Sequence, residues 1–576
     1  MPIKVQKIHL TSGEVIDVAD GLTVIVGPNN VGKTVLLSEL HSKLAGQGIS
    51  RGPLVVGRVE FERTHTIDEL LAWLDETYGR RKPGMYDVVS GGDQIEPSYK
   101  PHQGEALSES RVRRAWNSLD HVGNLTAFIV RYVNVQERLN MGFHSEPFNL
   151  HVDRPANPVQ HLYMDRNAEK QASDFMMRAF GLALTVDRYG GNTITLNVGS
   201  TTIPETGPPP SEEYLRELAL QPKLLEQGDG VRAFMGIALA VITTHYPLVL
   251  IDEPEAFLHP PHAYLLGRIL AEQHPRRTQV IVATHSTDVL RGMTEADAGR
   301  GATTVVRLTR DHAGNHVAQV QASAVSSLYE DPLVKYYGVL DGLFYHGVIL
   351  CEGDSDCTYY RAVLDSIERL DDGTPIESIS LHFTHCGGKA RLPKAVEALR
   401  SARVPVACIV DLDWLRDDND FAKLVTACGG DPTALRARRN DVTSAINSRS
   451  IRAERVVVRA KIKELLSART TPELSTDEIR GIKAVVSTRS GWGETKRHGG
   501  RLSGQALTSF QQLCVSLREL GILLVEGGAL ESFHPEVSVD NKAEWLRQVL
   551  EQKKFLESPG AHAFVKAVAA SIWSRQ

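Results

Sequence analysis

Apolar and polar positions alternate from Lys4 to Leu10, which predicts a strand, and the β-rich run GLTVIV (Gly21 to Val26) predicts a second that ends in a glycine turn. Helical spacing follows from Thr34 to about Leu44. Residues 50–225 are mixed: polar loops near Gly91 to Glu105, a strand-like LTAFIVRYVNV from Leu125, and a Gly-Pro-Pro-Pro turn at Gly207 to Pro210. Order returns with a helical run from Val231 to Ala240. Then come PLVLIDEP (Pro247 to Pro254) and QVIVATH (Gln279 to His285), continuous apolar runs that predict buried strands with a helix between them. Such alternation predicts a parallel sheet.

A second alternation begins near residue 345. It runs through the strand GVILCEG from Gly347, a helix from Asp354 to Leu370, a strand from Ile379 to Phe383, a helix from Lys389 to Ser401 and a buried strand from Val404 to Asp413. GILLVEGGALESF adds a last strand and turn before two helical stretches. The expected fold is α/β, with one domain over residues 1–335 and a second over 345–576.

Composition narrows the class. The 576 residues are 42% hydrophobic and 23% charged, ordinary globular usage that excludes a disordered tail or a fibrous repeat. The six cysteines, Cys351, Cys357, Cys386, Cys408, Cys428 and Cys514, form no CxxC pair, so neither a disulfide framework nor a zinc ribbon is expected. The most apolar stretch, Met235 to Ile251, is broken by Thr243, Thr244 and His245, and no membrane span or secretory leader is expected. A cytoplasmic protein follows as the expectation. The net charge of −6 is an average: residues 431–510 hold 16 Lys and Arg against 8 Asp and Glu, which leaves +8 there and −14 over the rest.

GPNNVGKT (Gly27 to Thr34) matches GxxxxGK[ST] after a β-run and at the start of a helix, the setting of a phosphate-binding loop. In such a loop the amides of Gly27, Asn29, Asn30 and Gly32 and the helix N-terminus cradle phosphates of ATP. Lys33 reaches the β- and γ-phosphates, and the Thr34 hydroxyl binds Mg²⁺. Asp252 and Glu253 end a buried strand, where Asp252 is placed to hold Mg²⁺ through water and Glu253 to orient or deprotonate the attacking water. His285 follows the next strand as a candidate γ-phosphate sensor.

These motifs resemble the ABC-type ATPase heads of SMC, RecF and related proteins. The resemblance implies dimerising heads, in which the signature of one subunit closes on the ATP of another. That signature is degenerate here as Gln227-Gly228-Asp229-Gly230, without its serine. Gln136 stands either as the Q-loop residue or as a surface glutamine.

A second constellation is acidic. Glu352 ends the strand GVILCEG, Asp356 follows in EGDSD, and Asp411 and Asp413 close VACIVDLD with strand alternation pointing both to one side. Carboxylates at the edges of two strands converge on a hard cation, Mg²⁺ or Mn²⁺, and two such ions suit phosphodiester cleavage. The alternative for each pair is a solvated turn or a helix cap, with Asp354 and Ser355 as the caps.

Glu-Gly at a strand end with DxD about sixty residues on resembles the Toprim domain of topoisomerases, primases and nucleases. An ATPase head followed by Toprim is similar to the OLD (Overcoming Lysogenization Defect) family of ATP-dependent nucleases, which includes the large subunit of the Gabija antiphage system. The resemblance implies metal ligands at Glu352, Asp356, Asp411 and Asp413, with Glu531 of GGALE as the family's late glutamate. It also nominates Lys542 as the lysine that assists cleavage, against an ordinary surface lysine. Gly387, Gly388 and Lys389 either hold a backbone phosphate or merely connect strand to helix.

The basic insertion, residues 431–510, includes RARRN, RSIRAERVVVRAKIK and ETKRHGGR, and its only aromatics are Trp492 and Phe510. That composition favours contact with a nucleic-acid backbone over base stacking, the alternative being a solvated helical arm. DNA is the expected substrate, with an ATPase-restrained nuclease toxin acting on tRNA, a topoisomerase, or a nucleotide-switched scaffold as rivals. A helicase or other defence protein is a candidate partner.

Overall fold

A computed structural model describes the whole chain except residues 49–51, 81–96, 102–104, 143, 151–153, 208, 244, 273–277, 298–302, 312, 322–337, 449–454, 468–472, 487–490, 493–494, 496–501, 538, 540 and 574–576. Parts of the loop at 91–105, the turn at 207–210 and the basic runs at 449–454 and 496–501 therefore lie outside the described residues. The chain divides into two compact units, Met1–Glu330 and Asp331–Gln576.

The first unit is built on a six-stranded sheet in the order Asn315–Gln321, Thr303–Arg310, Leu22–Val26, Gln279–Ala283, Leu248–Asp252, Val130–Val133. All neighbours are parallel except the first pair. Every residue of Leu22–Val26, Leu248–Asp252 and Gln279–Ala283 is buried, which is why these strands are apolar apart from Thr23, Asp252 and Gln279. A smaller antiparallel sheet joins Val15–Asp17, Ile3–Leu10 and Val56–Arg63.

The run from Leu125 is half helix. Gly123–Leu125 and Thr126–Ile129 are helical turns, and only Val130–Val133 is strand. The Thr126 hydroxyl donates to the Gly123 carbonyl oxygen at 2.7 Å and favours the turn, and a short apolar run does not itself distinguish the two states.

Glu39, on the helix Lys33–Leu44, ties that helix to the start of the strand Val56–Arg63. It is 5% exposed, and its carboxylate accepts the backbone N–H groups of Leu54, Val55 and Val56 at 2.7, 2.9 and 2.8 Å. Glu39→Ala leaves three donors without this acceptor. We expect a stability loss of about 3 kcal/mol, read as a lower urea midpoint with an unchanged slope, with Glu39→Gln in between.

The second unit holds a four-stranded, wholly parallel sheet in the order Leu381–His385, Gly347–Cys351, Val406–Asp411, Ile522–Val525. The helix predicted over Asp354 to Leu370 ends at Asp365. Leu370 instead joins a turn in which its N–H donates to Thr374 and its carbonyl accepts from Gly373. The helix predicted from Lys389 begins as a short 3₁₀ turn, Lys389–Arg391, and becomes regular at Leu392–Ser401, with Pro393 in its first turn.

The described part of the insertion is largely helical, with helices at Pro432–Asn447, Arg455–Ser467, Thr476–Val486 and Gly504–Glu519. All six cysteines are buried and none forms a disulfide. Among the described residues, no helix is long and apolar enough to cross a membrane.

Candidate functional site

In the first unit, the loop from Gly27 to Gly32 leaves a central strand and opens the helix Lys33–Leu44. Gly27 has φ +145°, and a Cβ there would meet the Leu308 carbonyl oxygen of the adjacent strand at 2.1 Å, so only glycine fits. Left-handed φ values at Asn30 (64°) and Gly32 (93°) curl the loop into the kind of backbone concavity that binds anions. Asn29 and Asn30 are exposed on it. Lys33 Nζ donates to the carbonyl oxygens of Gly27 and Pro28, both at 2.8 Å. Burial lowers the Lys33 pKa, opposed by the negative charges of Glu255, Glu253 and Asp252.

Parallel pairing brings the other parts alongside. The strand Gln279–Ala283 lies between Leu22–Val26 and Leu248–Asp252, so the residues after all three share one sheet edge. The Thr34 hydroxyl donates to Asp252 at 3.1 Å, and burial pushes the Asp252 carboxyl up to about 6. Glu253 adopts φ +45° and donates its N–H to Ala283 at 2.8 Å. His285 Nδ1 lies 3.8 Å from Glu253 and 3.1 Å from Glu255.

Two residues here escaped the sequence reading. Buried Glu255 accepts the Thr284 hydroxyl and the His285 N–H, each at 2.8 Å, and fixes the loop that carries His285. Its only signal was a third acid in DEPE. Arg138 donates to the carbonyl oxygens of Glu253 and Asp252 at 2.5 and 3.2 Å, and nothing in the sequence marked it. Gln136 is exposed on the short helix Val135–Asn140. Gln227 and Gly228 lead into the helix Asp229–Ile242, with Gly228 as its N-cap.

In the second unit, oxygens of Glu352, Asp411 and Asp413 lie within 4.8 Å of one another. Alternation along a strand does not bring them together: the strand ends at Asp411, and Asp413 sits in the 3₁₀ turn Leu412–Arg416. Two bonds shape that turn. Leu412 N–H donates to Gly528 at 2.8 Å, which ties it to the GGALE loop, and the Asp411 N–H donates to the Glu352 carboxylate at 3.1 Å. Burial raises the Glu352 carboxyl, and the charges of Asp413 and Asp356 raise it further.

Asp356 and Glu531 fall outside this triad. Asp356 accepts Lys542 Nζ at 2.8 Å on one oxygen and the Gly353 N–H at 3.1 Å on the other. It therefore supplies the helix cap expected of Asp354 or Ser355, and Gly353, without a side chain, is the N-cap position. Burial opposes the charged form of Lys542, but Asp356 outweighs it, with help from Asp411 and Glu531, so its pKa is raised. Glu531 lies in the 3₁₀ turn Leu530–Phe533. Lys389 Nζ stands 3.4 Å from Asp413, at the edge of the triad. Three carboxylates at the C-terminal edge of a parallel sheet are an all-oxygen donor set that fits Mg²⁺ or Mn²⁺.

Comparison with known proteins finds a family match within each unit. Residues 212–291 match the family described as AAA domain, putative AbiEii toxin, Type IV TA system. Residues 343–413 match Overcoming lysogenization defect protein-like, TOPRIM domain. The Old nuclease of Escherichia phage P2 is 20% identical over 414 residues, which cover 68% of this chain and 66% of that protein, so the chain spans just under two thirds of its length. Among solved structures, an SMC head domain from Thermotoga maritima aligns at 14% identity and TM-score 0.28, covering 55% of this chain and 99% of its own. An Smc head domain from Pyrococcus furiosus aligns at 11% identity and TM-score 0.32, covering 57% and 99%.

Proposed function

We propose that this OLD-family ATPase–Toprim protein is an ATP-hydrolysing, divalent-metal-dependent endonuclease that cuts DNA and serves in antiphage defence. The observation that carries the reading is the convergence of Glu352, Asp411 and Asp413 in a chain that also holds a complete P-loop beside Asp252 and Glu253. Bound at the triad, Mg²⁺ or Mn²⁺ activates water and neutralises charge on the phosphodiester. The chain's own groups do the positioning: Glu352, Asp411 and Asp413 hold the ion, Asp356 and Glu531 complete the acidic rim, and Lys542 meets negative charge that builds on the phosphate. Lys389 is placed for the adjoining backbone phosphate.

At the other site, Lys33 and the amides of Gly27, Asn29, Asn30 and Gly32 hold ATP, and Thr34 and Asp252 hold its Mg²⁺. Glu253 takes the proton of the attacking water, and His285 senses the γ-phosphate. The heads dimerise on ATP, and a helicase is a candidate partner. DNA hydrolysis is already downhill, so ATP gates the cut rather than driving it. The assay is cleavage of supercoiled DNA, linear DNA and tRNA with Mg²⁺ or Mn²⁺, with and without ATP. Cutting of tRNA alone would favour an RNA-cleaving toxin; the description of the family that residues 212–291 match names a toxin, without a substrate.

The insertion supplies sequence-independent affinity. On Arg455–Ser467, a helix with no buried residue, Arg459, Lys461 and Lys463 are exposed. Replacing all three by alanine should weaken DNA binding at every sequence and lower the slope of log K against log salt by about 2 to 3. An unchanged slope in a salt titration would assign this helix to a role other than phosphate contact.

A further inference from the structure

Arg138 is 0% exposed, and its guanidinium clamps two successive carbonyls, Glu253 at 2.5 Å from Nη1 and Asp252 at 3.2 Å from Nη2. A guanidinium stays charged, and burying one is costly unless its surroundings compensate. Here Glu255, Asp252 and Glu253 surround it with negative charge. The clamped peptide needs holding: Glu253 has φ +45°, a left-handed conformation that costs a residue with a side chain about 1–2 kcal/mol. The bonds that oppose relaxation include the Glu253 N–H to Ala283, the Ala256 N–H to the Glu253 carbonyl at 3.0 Å, and the Arg138 clamp on that same carbonyl, which alone among these three comes from a side chain.

The other side of the same short helix is fastened to Asp229–Ile242. A Cβ on Gly236 would lie 1.9 Å from the Arg138 carbonyl oxygen, so the two backbones touch. Arg232 reaches from that helix to the Leu139 carbonyl oxygen at 3.1 Å and to Asp229, in its own first turn, at 3.0 Å. A shift of this helix therefore moves Arg138 and the peptide it clamps.

We infer that Arg138 is a positioning residue that aims the Glu253 carboxylate and links it mechanically to the helix headed by Gln227-Gly228-Asp229-Gly230. The inference rests on the ATPase reading above. Its test compares wild type with Arg138→Lys, Arg138→Met and Arg232→Gln, measuring kcat and KM for ATP, Kd for a fluorescent ATP analogue, and the thermal midpoint.

Misaiming the base by an ångström lowers kcat for Arg138→Met about 30- to 100-fold with Kd within about threefold. Arg138→Lys, which keeps the charge and one donor, recovers part of that loss, and Arg232→Gln lowers kcat about 3- to 10-fold. A merely structural arginine would lower the thermal midpoint without splitting kcat from Kd. Should Arg138→Met fail to fold, the other two variants decide. Wild-type kcat in both, or a Kd that rises in step with the loss of kcat, overturns the inference while leaving the ATPase reading intact. A wild-type protein that binds ATP without turning it over overturns both.

Discussion

Asp411→Asn is expected to reduce metal-dependent DNA cleavage by about a thousandfold, roughly 4 kcal/mol of transition-state stabilisation, while ATP turnover stays within about twofold. Asp411 ends a fully buried strand, and its N–H bonds the Glu352 carboxylate. The amide keeps the shape and the backbone bond but removes one of three negative charges that a hard cation requires. Glu352→Gln should behave alike. Asp356→Asn should lose less metal, because both Asp356 oxygens already accept bonds from Lys542 and Gly353. Nicking of supercoiled plasmid and Mn²⁺ titration followed by electron paramagnetic resonance read the two effects separately. Wild-type cutting and wild-type Mn²⁺ affinity in Asp411→Asn would remove the triad from the mechanism.

Lys33→Ala should weaken ATP binding about a hundredfold or more and take turnover down about a thousandfold. The buried ammonium lies among Gly27, Pro28 and the acidic group Asp252, Glu253 and Glu255. Removing it leaves that negative group to face the ATP phosphates without its cation. The measurement is the Kd of a fluorescent ATP analogue beside a steady-state phosphate-release assay. Full turnover by Lys33→Ala would refute the nucleotide site. If cleavage by this variant becomes independent of ATP, rather than absent, ATP restrains the nuclease instead of licensing it.

Much of the frame was legible because parallel strands buried on both faces are apolar along most of their length. LTVIV, LVLID, QVIVA, GVILC and VACIVD all stand as strands. The errors fall where local pattern and chain geometry part. LTAFIVRYVNV has its unbroken apolar run from Ala127 to Val130 but is helical up to Ile129, since a short apolar run satisfies either state. The strand extended in expectation to Asp413 stops at Asp411, and the last acid reaches the cluster through a turn pinned by Gly528, more than a hundred residues away in the chain.

The sequence by itself determined which chemistry is present: a P-loop, paired acids at strand ends, and a basic insertion, each a local pattern whose residue types and spacing carry their own physical meaning. Tertiary structure decided how those groups are grouped. It put Glu352 with Asp411 and Asp413, and Asp356 with Lys542. It made Glu255 the support of His285 and Arg138 the clamp on Glu253. Such pairings depend on which strands lie side by side and which loops are bonded across them, and spacing along a chain does not encode the distance between groups that only folding brings together.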